Sequence, residues 1–327
     1  MATIRQRGDR WQCIVKRKGH PSLTKTFDLR KDAEKWGRLQ ERLIDAGQWI
    51  DRTEAEQTTF GELLERYSKE VSSAKRGAET EQIRIKALKQ SSLAKLSVAS
   101  ITGQTIAAYR DSRLRQVSGS TVVRELQLLS HVFNVAIREW SFGLNCNPVS
   151  LVRKPRTNPA RDRVLTDKER EALIGSCSQC KNPWIKPVVV FALETAARRG
   201  KILSLTWNAV NLERRTATVS GKTGSRTIPL SPACIAILRA LPRSLDGKVF
   251  PVTIETLKQA YERAVARAGI EDFTFHDLRH DALTRLAKFG LSILELRAVS
   301  GHTTANMLQR YVSINPVELA QKISAFA

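Results

Sequence analysis

Apolar and polar residues alternate with a period of two at the start of the chain and switch to helical spacing after residue 30. Thr3 to Arg7, Trp11 to Lys18 and Leu23 to Asp28 read as three short strands, with Trp11, Cys13 and Val15 alternating along the second. Gly8-Asp9 and Gly19-His20-Pro21 supply the turns between them. From Arg30 to Gly47, Ala33, Trp36, Leu39, Leu43 and Ile44 recur on one side of a helix, and Gly47 fits its C-terminal cap. A three-stranded sheet with one helix is therefore expected over residues 1–55.

A second module begins at Thr58-Thr59, which can cap a helix carrying Phe60, Leu63, Leu64 and Tyr67. Three further helical patterns continue to about Trp140. Thr102 can cap the run Ile106 to Leu114, and Ser118 or Ser120 the run Val122 to Ile137, which ends near Gly143 and Pro148. Residues 58–150 thus read as a helical bundle. Residues 151–162 hold two prolines, which forbid a continuous helix, and concentrate Arg153, Lys154, Arg156 and Arg161. This stretch reads as a basic interdomain linker, or more plainly as a solvated basic loop. Residues 163–327 are mostly helical, interrupted by β-type runs Thr216 to Ser220 and Thr227 to Leu230 around a basic tip, Gly221 to Arg226. The expected fold class is multidomain and mainly α with small β elements. No repeats or low-complexity tracts occur.

Charge narrows the possibilities. Lys and Arg number 54 against 32 Asp and Glu, a net +22, with a pI near 10.3. Such an excess favours a polyanionic partner, nucleic acid before an acidic membrane. The apolar stretch around Pro187 to Leu193 falls far short of the roughly 20 residues that cross a bilayer, and no apolar secretory core opens the chain. A cytoplasmic, nucleoid-associated protein is expected. Cysteines at 13, 146, 177, 180 and 234 are scattered and odd in number, so no disulfide framework is expected. Cys177 and Cys180 form a C-x-x-C, but without a second ligand pair no metal site is expected.

The chemistry-bearing residues lie in the C-terminal half. His276-Asp-Leu-Arg-His280 is followed by Ser300-Gly-His302 and by Tyr311 in Leu308-Gln-Arg-Tyr; upstream stands Glu194-Thr-Ala-Ala-Arg198. In this order and spacing, residues 163–327 resemble the catalytic domain of the tyrosine recombinase, or phage integrase, family. The resemblance implies Arg198 as the first catalytic arginine and Lys222 as the hairpin lysine. It implies His276 and Arg279 as an H-x-x-R pair, His302 as the second histidine and Tyr311 as nucleophile. His280 is expected to have a structural role.

The residue types suit that chemistry. A free tyrosine has a pKa of about 10, so at neutral pH only about one in a thousand is phenolate, and attack on phosphate needs neighbouring cations and a base. Charge spread over the non-bridging oxygens calls for planar, permanently charged donors, which Arg198 and Arg279 provide. A lysine can deliver a proton to the departing 5′ oxygen, the role the resemblance implies for Lys222. Gly221-Lys222-Thr223 is not a nucleotide loop, because Thr216 stands where glycine is needed and a strand follows instead of a helix. Neither ATP nor any other cofactor is expected, since a phosphotyrosine link conserves the phosphodiester's energy.

One position departs from the family pattern. The residue three after the first catalytic arginine is usually an acid there, and here it is Lys201, which brings like charge close and points to altered activity unless its side chain faces solvent or DNA. The front modules resemble the family's arm-type (1–55) and core-binding (58–150) DNA-binding domains. Arg5, Arg7, Arg10, Arg17 and Lys18 become candidate DNA contacts alongside Arg153, Lys154, Arg156 and Arg161. The resemblance implies a homotetramer exchanging strands between two DNA sites through a four-way junction, with accessory DNA-bending proteins or an excision factor as possible partners. The apolar tail Val317, Leu319, Ile323 and Phe326 is expected to dock on a neighbouring protomer. Integration and excision of a mobile element is the leading reading. A shufflon-type DNA invertase, which the catalytic and linker segments also resemble, and a DNA-binding regulator with a weakened catalytic domain remain open.

Overall fold

The computed structural model describes residues 2–159, 161–221, 224–312 and 324. The chain divides into two compact units, Met1–Pro159 and Ala160–Ala327. Lys222 and the tail residues Val317, Leu319, Ile323 and Phe326 lie outside the described residues.

The first unit opens with an antiparallel sheet in the order β1 (Ala2–Arg7), β2 (Arg10–Val15) and β3 (Leu23–Phe27). Strand β2 stops at Val15 and not at Lys18, because the chain turns where the His20 N–H reaches the Arg17 carbonyl. Cys13 and Val15 are fully buried beneath helix α1 (Arg30–Asp45). Leu39, expected on the buried side, is half exposed, and Gly37 is buried in its stead. A Cβ on Gly37 would come within 2.9 Å of the Ala2 and Cys13 side chains, so its absence lets the helix lie on the sheet. At about 100° per residue, position 39 then falls on the far side. Gly47, at φ +64°, ends the helix as expected, with Gly47 and Gln48 N–H groups returning to the Ile44 and Leu43 carbonyls.

The helices that follow are α2 (Thr53–Gln57), α3 (Phe60–Tyr67), α4 (Ala78–Lys89), α5 (Gly103–Leu114) and α6 (Gly119–Arg138). Thr59 and Glu62 form a reciprocal capping box on α3, and Ser118, not Ser120, caps α6 by accepting from the Thr121 N–H. Their apolar faces meet around Phe60, Leu64, Tyr67, Leu129 and Phe133, with the Phe60 and Phe133 rings stacked at 5.4 Å.

The second unit contains α7 (Asp167–Ser178), α8 (Ile185–Thr195), α9 (Arg199–Leu203), α10 (Pro232–Ala240), α11 (Ile254–Arg267), α12 (Asp277–Lys288) and α13 (Ile293–Ser300). Between α9 and α10 runs an antiparallel sheet of β4 (Val210–Asn211), β5 (Thr216–Val219) and β6 (Arg226–Pro229). The two-residue β4 is too short to leave a periodic signal and was not expected. Helix α8 is buried nearly all round through Ile185, Val188, Val189, Phe191 and Leu193, and organises the main core. A smaller cluster of Ala196, Ala282, Leu283, Leu296 and Leu308 lies under the end of the described chain. The cysteines are free. Among the described residues no helix is long and apolar enough to cross a membrane.

Candidate active site

Arg198 is aimed by a sharp reversal at the end of α8. Ala196 takes the left-handed conformation, φ +52° and ψ +19°, which costs an ordinary residue about 1–2 kcal/mol. Two anchors hold it: Thr195 Oγ1 accepts from the Ala197 N–H at 3.3 Å, and Arg279 donates to the Ala196 carbonyl at 2.6 Å. Arg198 then leads into α9, with one terminal guanidinium nitrogen buried and without a hydrogen-bond partner among the described residues.

Arg279 ties three distant stretches together. Besides the Ala196 carbonyl, its guanidinium donates to the Ser300 carbonyl at 2.9 Å and meets His302 Nε2 at 3.1 Å. Arginine can only donate, so Nε2 is the acceptor and the proton sits on Nδ1, which faces Ser300 Oγ at 2.9 Å. Burial, followed by Arg279 and Arg198, pushes the His302 pKa down to about 4, so the ring is neutral at physiological pH. His276 sits exposed at the rim, its pKa lowered by partial withdrawal from water and then by Arg279. Burial and the charges of Arg198 and Arg226 lower Arg279 itself to about 9. A cleft of about 710 Å³ opens along Arg198, His276 and Arg279.

Helix α12, which carries Arg279, is seated by Asp277. This buried carboxylate accepts from the Thr274 N–H at 2.7 Å, from Thr274 Oγ1 at 2.8 Å and from the Arg161 guanidinium at 2.9–3.1 Å. Tyr311 lies on a short turn, Gln309–Tyr311, against the smaller core cluster, its ring 5.0 Å from that of His280. His280 thus serves as a packing partner. Burial raises the Tyr311 pKa, and Arg310 and Arg279 offset part of the rise.

Lys201 does not face solvent. Only 5% exposed, it donates to the Gly224 carbonyl at 2.8 Å, and burial followed by Arg226, Arg198 and Arg279 lowers its pKa. Arg226 escaped sequence reasoning. Its Nε donates to the Val299 carbonyl at 2.9 Å, and a Cβ on Gly301, which has φ +65°, would meet it at 2.6 Å. Strand alternation carried the signal, because Arg226 shares the inward face with buried Ile228.

The candidate DNA contacts are exposed except for half-buried Arg17, and four of them are engaged by neighbouring side chains. Arg153, Lys154 and Arg156 are exposed, as are Arg7 and Lys18. Arg161 is held by Asp277 and Asp272, Arg10 by Asp28, Arg17 by Asp45, and Arg5 bonds Gln12.

Comparison with known proteins matches residues 163–318 to the phage integrase family. The chain is 39% identical to a shufflon-specific DNA recombinase of Escherichia coli, over 82% of this chain and 72% of that one. It is 33% identical to a putative integrase/recombinase of Haemophilus influenzae, over 94% and 86% of the two chains. In structure it resembles a lambda integrase, crystallised as a dimer bound to a COC′ core site, with a TM-score of 0.69 at 19% identity, over 95% of this chain and 94% of that one.

Proposed function

The chain belongs to the phage integrase family of tyrosine site-specific recombinases, and from that premise we propose that it integrates and excises a mobile DNA element through a 3′-phosphotyrosine intermediate. The observation that supports this reading is the web around Arg279, which bonds the Ala196 carbonyl two residues before Arg198, the Ser300 carbonyl and His302 Nε2, while Arg198, His276 and Arg279 line one cleft. In the proposed reaction Tyr311 Oη bonds to phosphorus while the bond to the 5′ oxygen breaks. Arg198 and Arg279 receive the charge gathering on the non-bridging oxygens, with His276 and His302 beside them. The tyrosine's proton leaves to solvent or a neighbouring base, and Lys222 supplies one to the departing oxygen.

We assign residues 1–55 to arm-type DNA binding, 58–150 to core-site binding, 151–162 to a basic linker and 163–327 to catalysis. A homotetramer would join two sites and exchange strands in two pairs of cleavages through a four-way junction, with accessory DNA-bending proteins or an excision factor as possible partners. DNA-bound relatives of the same fold support this assembly: lambda integrase has been crystallised as a tetramer on a Holliday junction.

The test is a duplex nicked beside the cleavage site, which traps the covalent step. The chain should form a protein–DNA adduct, and Tyr311→Phe should lose the adduct while still shifting DNA noncovalently. An adduct that survives the substitution refutes Tyr311 as nucleophile. Inversion is the second reading, favoured by the 39% identity to the shufflon recombinase. Footprinting decides between them, two separated classes of protected site supporting integration and one class supporting inversion.

A further inference from the structure

Lys201 is buried in α9 among Arg198, Arg226 and Arg279, and among the described residues no carboxylate pairs with it. A buried cation in cationic surroundings is unfavourable, so its retained contact calls for an explanation. The ammonium donates to the Gly224 carbonyl, and the Gly224 N–H donates to the Gly221 carbonyl at 3.0 Å. The lysine stem lies against Gly221: a Cβ there would come 3.2 Å from its Cγ and 3.3 Å from its Cε. Ser204 Oγ, just past the end of α9, lies within hydrogen-bonding distance of both the Lys201 carbonyl, at 3.2 Å, and the Ser220 carbonyl, at 3.3 Å. Lys201 thus contacts Gly221 on one side and Gly224 on the other, and in sequence the two residues between them are Lys222 and Thr223.

We propose that Lys201 is a positioning residue, whose ammonium holds the Gly224 carbonyl and thereby sets the reach of the hairpin tip that carries Lys222. This rests on the reading of Lys222 as the proton donor to the leaving 5′ oxygen. A lysine here does by hydrogen bonding to backbone what the expected acid cannot, because a carboxylate has no proton to give a carbonyl at neutral pH.

The experiment compares adduct formation on nicked DNA with either oxygen or sulfur in the 5′-bridging position. Sulfur departs as a thiolate and needs no proton, so it removes the demand on the general acid. Lys201→Met should slow cleavage of the oxygen substrate about 100-fold, the scale of a misplacement near 1 Å, and sulfur should restore it. Lys201→Arg should keep most of the rate, since a guanidinium can still donate to the carbonyl but cannot surrender a proton. DNA affinity should hold in both, and the melting temperature of Lys201→Met should not fall, since a buried like charge has been removed. Equal slowing of Lys201→Met on both substrates overturns the proposal. So does a Lys201→Arg rate as low as that of Lys201→Met with sulfur rescuing both, which would make Lys201 the acid itself. Lys222→Ala serves as the reference: if sulfur fails to rescue it, the reading of Lys222 is wrong and the proposal falls with it.

Discussion

Replacing Asp277 by asparagine tests whether the seating of α12 holds the site together. The Asp277 side chain is 3% exposed, and its oxygens accept from two Thr274 donors and from the Arg161 guanidinium. Asparagine keeps one oxygen for Thr274 but must turn an amide NH₂ toward Arg161. Because the side chain at position 277 is nearly fully buried, losing a charge-assisted acceptor there and stranding an amide donor costs about 3 kcal/mol. A loss of about 3 kcal/mol in a unit of this size lowers its melting temperature by roughly 6–12 °C at neutral pH. Scanning calorimetry of the full chain measures this as a downward move of one transition. Acid supplies the second arm of the test. Burial pushes the Asp277 carboxyl up, but Arg161 and Thr274 outweigh it and hold the pKa below its ordinary value. The stabilisation is therefore present above the unfolded pKa of about 4 and is lost as pH falls through the lower folded value. The gap between wild type and variant should close in acid. A shift below about 2 °C at neutral pH, or a gap that persists in strong acid, refutes the reasoning.

Two further outcomes follow from the geometry. NMR titration of His302 should find the Nδ1–H tautomer with a midpoint near 4; because the unfolded chain takes up this proton first, acidifying from about 6.5 toward 4 weakens folding, and a midpoint above 6 contradicts the Arg279 contact. Replacing exposed Arg153, Lys154 and Arg156 together by alanine should flatten the salt dependence of DNA binding by about 2.7 in the log–log slope, about 0.9 for each lost phosphate contact. An unchanged slope removes this segment from the DNA interface.

The chemistry was more legible in the sequence than the geometry that delivers it. Arg198, His276, Arg279, His302 and Tyr311 stood out because their order and spacing along the chain resemble the family's pattern, and their types suit transfer of a phosphodiester. Helix limits were readable where a capping hydroxyl or a left-handed glycine marks them, as at Thr59, Ser118 and Gly47. Periodicity alone could not rank faces of α1, because the docking face was chosen by the missing Cβ of Gly37, a close approach between elements distant in sequence. The same limit hid Arg226 and the direction of Lys201. Residue type announces a charge, whereas only the packed hairpin decides whether it meets water or a backbone carbonyl.

The hydrogen bond from Arg279 to the Ala196 carbonyl makes the two arginines interdependent. A fault at position 279 would travel through the left-handed turn and misdirect Arg198 two residues later, so lesions at either site would look alike in any measurement of the reaction. Only a probe of the turn itself, such as amide exchange at Ala197, would separate a missing charge from a misaimed one.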